Sequence, residues 1–178
     1  MSEPTTTMIK RVSDATKPAD FDEASAAPAD WADVGRRLGE GPGPCWLSLS
    51  AEHGPHVRPV FAAWTGESFV VASNPRARKT AALRQEGGCS VALDLKEMHL
   101  VVEGRANRLT SDSDLRRASE AFERVFNWPT KPAGDLLDSS YAAPSSGGPP
   151  FEVYEIHPSK AYAFPTADQF EPTRWQWS

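Results

Sequence analysis

Short apolar stretches separated by turn signals constrain the fold of this chain more than any other feature of its sequence. Residues 56–64 and 68–73 are rich in Val, Phe and Trp, and the Thr-Gly-Glu between them, at 65–67, is typical of a hairpin turn. Four further strands are predicted over residues 45–50, 89–95, 99–109 and, as one interrupted strand, 151–164. Consecutive antiparallel strands leave exposed edges that closure removes. We therefore expect a mainly β fold of the α+β class, a six-stranded antiparallel barrel with helices packed outside it.

Helical spacing and composition divide the rest of the chain. The spacing predicts helices over residues 30–38 and, most strongly, over 113–126. Residues 127–150 contain five prolines, and a segment of that length in a small domain is either functional or disordered. Residues 1–29 are polar and are predicted to be a flexible N-terminal tail. A single domain over 30–178 remains.

Composition excludes several classes of function. The formal net charge of −5 argues against nucleic-acid binding, which needs a basic surplus. No apolar run approaches the ~20 residues of a membrane helix, and no export signal is evident, so we expect a cytoplasmic protein without membrane contact. Cys45 and Cys89 stand alone in apolar runs and are expected to be buried. No two histidines show metal-ligand spacing, so no metal site is expected.

A basic stretch follows the hairpin. Arg76, Arg78, Lys79 and Thr80 fall in the first turn of a predicted helix. Cations are disfavoured at that end of a helix dipole, so their concentration there favours an anionic ligand. A phosphomonoester carries nearly two negative charges and suits arginine together with further donors. The sequence therefore predicts a phosphate site at this stretch.

Two positions near the basic stretch allow alternative interpretations. Arg58 interrupts an apolar strand, where an unpaired charge is costly, so it either faces the ligand or pairs with a buried glutamate. His56 lies on the same strand face as Arg58 and is either a substrate contact or a structural histidine. Trp128 is likewise a candidate substrate contact or a packing residue. No serine lies in a Gly-x-Ser-x-Gly context, which argues against a nucleophilic hydrolase.

The order of these motifs resembles the flavin-binding split-barrel family related to pyridoxamine 5′-phosphate oxidase. The motifs that carry the resemblance are GPHVRPVF at 54–61, FVVAS at 69–73, ARKTAALR at 77–84, VEGRA at 102–106, VYEIHPSKAYAF at 153–164 and TRWQW at 173–177. The resemblance runs from about residue 31 to the C-terminus. It implies an FMN-binding split β-barrel that forms homodimers, with two cofactor sites at the subunit interface.

The resemblance also implies roles for particular residues. The implied contacts beside the flavin ring and ribityl chain are Arg58, Pro59, Val60 and Phe61, and those along the cofactor are Ala72 and Ser73. The implied phosphate ligands are Arg78 and Lys79, with Thr80 beside them. Arg174 and Trp175 are implied to reach a cofactor in the dimer. A cation such as Arg58 near the N1–C2=O edge of the flavin would stabilise its reduced form.

The chain departs from the family at its C-terminus. It ends in TRWQWS, where the true oxidase of vitamin B6 metabolism has an Arg-Leu-x-Pro type signature, so we expect a different substrate. The resulting hypothesis is an FMN-dependent oxidoreductase that transfers a hydride to or from an unidentified small molecule. One alternative is a reductase that uses the deazaflavin F420, which the same basic stretch could hold. Another is a non-catalytic flavin- or haem-binding sensor or storage module, because no residue is evident as a general acid or base.

Overall fold

The computed structural model describes residues 2–9, 27–51, 54–85, 88–143, 146–166 and 170–178. Its helices are α1 (Trp31–Gly39), α2 (Arg78–Leu83) and α3 (Asp112–Phe126). Its strands are β1 (Thr5–Met8), β2 (Cys45–Ala51), β3 (Gly54–Val60), β4 (Ala62–Trp64), β5 (Phe69–Ser73), β6 (Gly88–Leu95), β7 (Met98–Leu109), β8 (Thr130–Ala133), β9 (Leu136–Ser139), β10 (Glu152–Pro165) and β11 (Thr173–Gln176). None of the helices in these residues is long and apolar enough to cross a membrane.

Antiparallel pairing dominates the sheet, and its helices lie outside it, which confirms the predicted split-barrel class. The strand order is β1-β11-β10-β7-β6-β2-β3, and β5 joins this sheet by pairing with both β10 and β4. One edge of β10 pairs with β7, and its other edge is shared between β5 at residues 152–156 and β11 at residues 160–163. The predicted interruption of this strand is a bulge between Pro158 and Lys160. The predicted strand over 56–64 is divided at Phe61 into β3 and β4.

The core follows from the alternation of side chains along the strands. In β2, for example, Cys45, Leu47 and Leu49 are buried, and the residues between them face outwards. Cys89 of β6 is buried too, as predicted, and burial raises the pKa of both thiols to about 11. A second apolar cluster lies beneath α3. It includes Leu115, Phe122, Trp128, Leu137 and Phe151.

The helix α3 is the strongest helix prediction, and the structure confirms it. Ser111 caps its first turn by accepting a hydrogen bond from Asp114 N at 3.2 Å. Asn127 ends the helix with φ 49°, a left-handed conformation that asparagine tolerates. The segment that follows contains the hairpin β8–β9, whose Leu137 bridges to Phe151. Part of this long segment is therefore ordered and packed against the core.

The N-terminal segment differs from the predicted flexible tail in its described parts. Thr5–Met8 pair with Thr173–Gln176, and the amide of Ala29 donates to Thr173 Oγ1 at 2.9 Å. The side chains of β1 are exposed, so the strand is held by backbone hydrogen bonds to the edge of β11. Polar composition does not prevent such pairing, which is why composition predicts it poorly. Residues 10–26 of the predicted tail lie outside the described residues.

Gly104 allows the closest approach between β7 and β10. It lies opposite Pro158, next to the bulge in β10. A Cβ atom at this position would lie less than 3.0 Å from the carbonyl oxygen of His157 and 3.1 Å from Ile156 Cγ2. Because the first of these atoms belongs to the backbone, the strands would have to separate to admit any side chain.

A buried glutamate ties α2 to the sheet. The carboxylate of Glu152, at the start of β10, accepts hydrogen bonds from Arg84 at the end of α2 and, at 2.5 Å, from Tyr154 Oη. Burial raises the pKa of Glu152, but the hydrogen bonds from Arg84 and Tyr154 and the charge of Arg108 outweigh burial, so the net pKa lies below its ordinary value. The anchor fixes the helix that carries Arg78 and Lys79.

Candidate functional site

The basic stretch faces a cavity of about 730 Å³, a size typical of small-molecule sites. β3 and the residue after it contribute His56, Arg58, Pro59, Val60 and Phe61, and β5 contributes Ala72. The start of α2 contributes Ala77, Arg78 and Lys79. The remaining described lining residues are Pro42, Gly43, Pro44, Phe126, Trp128, Ala143 and Ser146. Nine of the predicted site residues therefore line one cavity; eight of them lie within residues 56–79, and Trp128 comes from beyond α3.

One end of the cavity is strongly cationic. Arg58, Arg78 and Lys79 line it, and none of its described lining residues is acidic. Within the described part of the chain, none of these three cations forms a salt bridge with a carboxylate. Arg58 donates to the neighbouring carbonyl of Val57 at 2.7 Å. No glutamate of the described residues pairs with Arg58, which favours the ligand-facing interpretation over a buried Arg58–glutamate pair.

The pKa values of two groups record this excess of positive charge. Burial and then the charge of Arg58 lower the pKa of Lys79. Partial burial, followed by the charges of Arg58, Arg78 and Lys79, lowers the pKa of His56. Like charges that are held together without counter-ions disfavour further protonation. An anion in the cavity would relieve this repulsion.

The other end of the cavity is aromatic. Phe61 stacks on Phe126 with ring centroids 4.7 Å apart and an interplanar angle of 20°. Trp128 meets Phe61 edge-on at 6.0 Å, and its indole N–H donates to the carbonyl of Tyr141 at 3.1 Å. Phe61 is 45% exposed, whereas Trp128 is 5% exposed. Phe61 therefore offers most of the free aromatic surface, and Trp128 mainly supports it by packing.

Two predicted cofactor contacts have internal roles. Ser73 and Thr80 are buried, and their hydroxyl groups lie 2.6 Å apart. Thr80 Oγ1 also donates to the carbonyl of Asn74 at 2.6 Å. Neither residue lines the cavity. Both hydroxyls close the turn that precedes Arg78, and a contact of Ser73 or Thr80 with a cofactor stays a prediction.

The predicted C-terminal contacts lie outside this cavity. Trp175 is fully buried in the core, where its ring packs against Trp31 with centroids 5.2 Å apart. A side chain with no exposed surface cannot reach a ligand in another subunit, so this prediction is corrected. Arg174, its neighbour in β11, is exposed and opposes Tyr162. Its contact with a partner's cofactor stays a prediction.

Sequence reasoning missed the residues that close the cavity opposite β3. Phe126 belongs to the apolar stripe of α3, so the pattern assigned it to the core. Ala143 and Ser146 have small side chains and carry no chemical signal. The proline-rich composition of 127–150 was the one available sign, because such a segment in a small domain is either functional or disordered.

Solved structures with a similar fold have diverged far in sequence. A FAD-binding protein from Mesorhizobium loti shares 14% identity and a TM-score of 0.54, covering 84% of this chain and 96% of that one. A NimC/NimA family protein from Clostridium acetobutylicum shares 15% identity and a TM-score of 0.57, covering 82% and 91%. A heme binding protein from Mycobacterium smegmatis shares 14% identity and a TM-score of 0.54, covering 78% and 55%. At these identities the similarity establishes the fold alone.

Comparison with sequence families is more specific. No curated protein matches the chain closely enough in sequence to count as a relative. The family profile described as pyridoxamine 5′-phosphate oxidase, in contrast, matches residues 35–164, which is more than two thirds of the chain. The matched range includes every described cavity residue. The chain therefore belongs to the pyridoxamine 5′-phosphate oxidase family.

Proposed function

We propose that this protein is an FMN-dependent oxidoreductase that transfers a hydride to or from a small molecule. The observation that carries the proposal is the cavity itself, which joins three cations, with no carboxylate among its described lining residues, to a half-exposed aromatic surface. A phosphorylated flavin has the same division, with a dianionic phosphate and a wide, largely apolar ring. Similarity in fold to a FAD-binding protein supports a flavin, and the phosphomonoester of FMN suits this cation cluster.

Different residues of the cavity would bind different parts of FMN. Arg78 and Lys79 would hold the phosphate through charge-assisted hydrogen bonds. Phe61 and the backbone of β3 would support the flavin ring, which supplies the hydride chemistry when bound. Arg58, which also lines the cavity, would place a positive charge where reduction makes the ring edge negative. Phe126 packs against Phe61, and Trp128 packs against Phe61 and Phe122, so this part of the cavity lining is apolar.

An exposed apolar patch beside the cavity supports a homodimer. Trp46 is 49% exposed and lies opposite Pro59 across the β2–β3 pair, and Val57 is 42% exposed on the same outer face. Pro59 and Phe61 line the cavity, so the patch continues into its mouth. Apolar surface in such a position is typical of an interface. We propose that a second copy of the chain covers this patch and borders the cofactor site.

A second candidate function is binding without turnover. Among the described lining residues, His56 is the only side chain that could exchange a proton near pH 7 without a large shift of its pKa. Hydride transfer needs geometry more than a general base, but a site so poor in acid–base groups also suits a sensor or storage module. Similarity in fold to a heme binding protein supports this candidate.

The purified protein separates these possibilities. We expect a yellow protein with a flavin absorption spectrum, and denaturation should release a compound with the mass of FMN. In size-exclusion chromatography with light scattering, the same preparation should have the mass of two chains. Release of F420 or haem, or a colourless protein that takes up no FMN on titration, would contradict the proposed cofactor. Bound FMN that neither nicotinamide donors nor reduced deazaflavin can reduce would favour binding without turnover.

The affinity for FMN should depend on pH through His56. Burial and then the neighbouring cations lower the pKa of His56 in the free protein, and a bound dianion would raise it again. Protonation and FMN binding are therefore coupled. The contribution of His56 to affinity is fully present below its pKa in the free protein and is lost as the pH rises through its pKa in the complex.

The ratio of FMN affinities between the native protein and the His56→Gln variant isolates this effect. We expect the ratio to rise by about threefold to tenfold between pH 8 and pH 5.5. Ionisation of the FMN phosphate near pH 6 affects both proteins equally and cancels in the ratio. A ratio that stays constant with pH would show that His56 does not sense the bound anion.

A further inference from the structure

Asn74 begins the turn that leads into Arg78 and Lys79, which we call the basic turn. At Asn74 this turn meets the far side of the cavity. Its side-chain Nδ2 donates to the carbonyls of Gly148 at 2.9 Å and Gly147 at 3.0 Å. Its Oδ1 accepts from the amide of Arg76 at 2.9 Å. Both N–H groups of the side-chain amide and its oxygen are thus engaged. The N–H groups bond to Gly147 and Gly148, and the oxygen bonds to the turn at Arg76.

On the turn side, the backbone of Asn74 fixes the residues that precede the cations. Its carbonyl accepts from the amide of Ala77 at 3.0 Å and from Thr80 Oγ1 at 2.6 Å. Ala77, Arg78 and Lys79 all line the cavity. The position of Asn74 therefore sets the position of the cationic end.

On the far side, Asn74 holds what we call the cavity wall, formed by Ala143, Ser146, Gly147 and Gly148. Ala143 and Ser146 line the cavity, and Ser146 donates both its amide, at 2.9 Å, and its hydroxyl, at 2.8 Å, to the carbonyl of Ala143. Gly147 and Gly148 have φ values of 86° and 76°. A Cβ atom on Gly147 would lie 3.2 Å from Asn74 Cγ, so the wall is fitted closely to this side chain.

The wall also continues to the aromatic end of the cavity. Tyr141, two residues before Ala143, accepts the indole hydrogen bond of Trp128 through its carbonyl, and its hydroxyl donates to the carbonyl of Asn127 at 2.9 Å. The segment that carries the wall is consequently held by Trp128 at Tyr141, just before the wall, and by Asn74 at Gly147 and Gly148. Of these two, only Asn74 also bonds to the basic turn.

We propose that Asn74 is a positioning residue that couples the phosphate end of the site to the wall beside the flavin ring. The inference rests on the proposed flavin site. An anion held by Arg78 and Lys79 would order the basic turn and, through the Asn74 amide, the wall. A ring that then enters the cavity meets a wall that is already ordered, so phosphate and ring should bind cooperatively.

Riboflavin and inorganic phosphate test this coupling, because together they present the two halves of FMN as separate molecules. Saturating phosphate should increase the riboflavin affinity of the flavin-free native protein by about fivefold or more, within the usual range for coupled sites. The Asn74→Ala variant should bind riboflavin with nearly the same affinity with and without phosphate. Gly147→Ala should also lose the coupling, because its left-handed φ and its contact with Asn74 both oppose a side chain, yet its phosphate affinity should stay native.

Gly134→Ala is the matched control. Gly134 has φ 67° and lies in the same segment, but a Cβ atom there would meet nothing within 4 Å. The same backbone strain away from Asn74 should leave the coupling as in the native protein. Thermal unfolding of each variant shows that it is folded, and Gly147→Ala keeps the test decisive if Asn74→Ala does not fold.

The outcomes separate the two proposals. A native protein that binds neither FMN nor riboflavin would overturn the proposed function. A native protein that binds FMN but shows no phosphate–riboflavin coupling would overturn only the role of Asn74. The role of Asn74 would also be overturned if folded Asn74→Ala and Gly147→Ala keep the coupling. It would be overturned as well if Gly134→Ala loses the coupling to the same extent.

Discussion

Replacing both Arg78 and Lys79 with alanine is expected to lower the affinity for FMN by about 100-fold or more while leaving the protein folded. Each hydrogen bond to a charged group contributes about 1.5–3 kcal/mol, so the loss of two amounts to at least ~3 kcal/mol. Within the described residues neither side chain forms a salt bridge, so the fold loses no ion pair there. Titration of the flavin-free protein with FMN, followed by flavin fluorescence, measures the effect.

The double variant Arg116→Ala, Lys131→Ala is the matched control. It removes the same charge from two exposed positions, 64% and 76% in side-chain exposure, that do not line the cavity. Its FMN affinity should stay within about twofold of the native value, because exposed pairs contribute little and salt screens them. Equal FMN affinity in the Arg78, Lys79 variant and the native protein would contradict the assignment of these two residues as ligands of the phosphate. An equal loss in the control would show an effect of net charge alone.

The substitution Gly104→Ala is expected to destabilise the fold by about 4 kcal/mol or more, among the largest effects of a single methyl group. The added carbon would collide with the backbone carbonyl of His157, which no rotamer change can relieve. For a chain of this size that loss corresponds to a melting temperature lower by about 10 °C. Thermal unfolding followed by circular dichroism measures it.

Gly88→Ala provides the comparison for this substitution. Gly88 begins the neighbouring strand β6, where a Cβ atom would meet nothing within 4 Å, so its melting temperature should change by only about 2 °C. If Gly104→Ala melts within 2 °C of the native protein, β7 and β10 have room to separate at this point. The close approach of β7 and β10 at Gly104 would then not constrain the fold.

Strand pairing and the cationic end of the site could be predicted from the sequence because both depend on local pattern. Alternating apolar residues located β2, β5, β6 and β7, and an uncompensated cluster of cations marked Arg78 and Lys79. The roles of Ser73 and Thr80 could not be predicted in this way. A hydroxyl group beside a basic residue has the same sequence signal whether it faces a phosphate or, as here, another hydroxyl.

Long-range packing limited the prediction elsewhere. The family resemblance implied that Trp175 reaches a cofactor in the dimer, but β11 inserts it into the core against Trp31. The strand β1 has no apolar alternation at all, and only the free edge of β11 explains its pairing. Asn74 and the cavity wall are about 70 residues apart in sequence, so no local pattern connects them.

Binding of the proposed FMN to the cations of the cavity should also extend the lifetime of the protein. Mutual repulsion among Arg58, Arg78 and Lys79 destabilises the chain as long as no anion separates them. A ligand that binds only the folded chain adds about 2.7 kcal/mol of stability at a hundred times its dissociation constant. Susceptibility to proteases should therefore follow the supply of the proposed cofactor, FMN. Cells short of it would contain less of this protein even at an unchanged rate of synthesis.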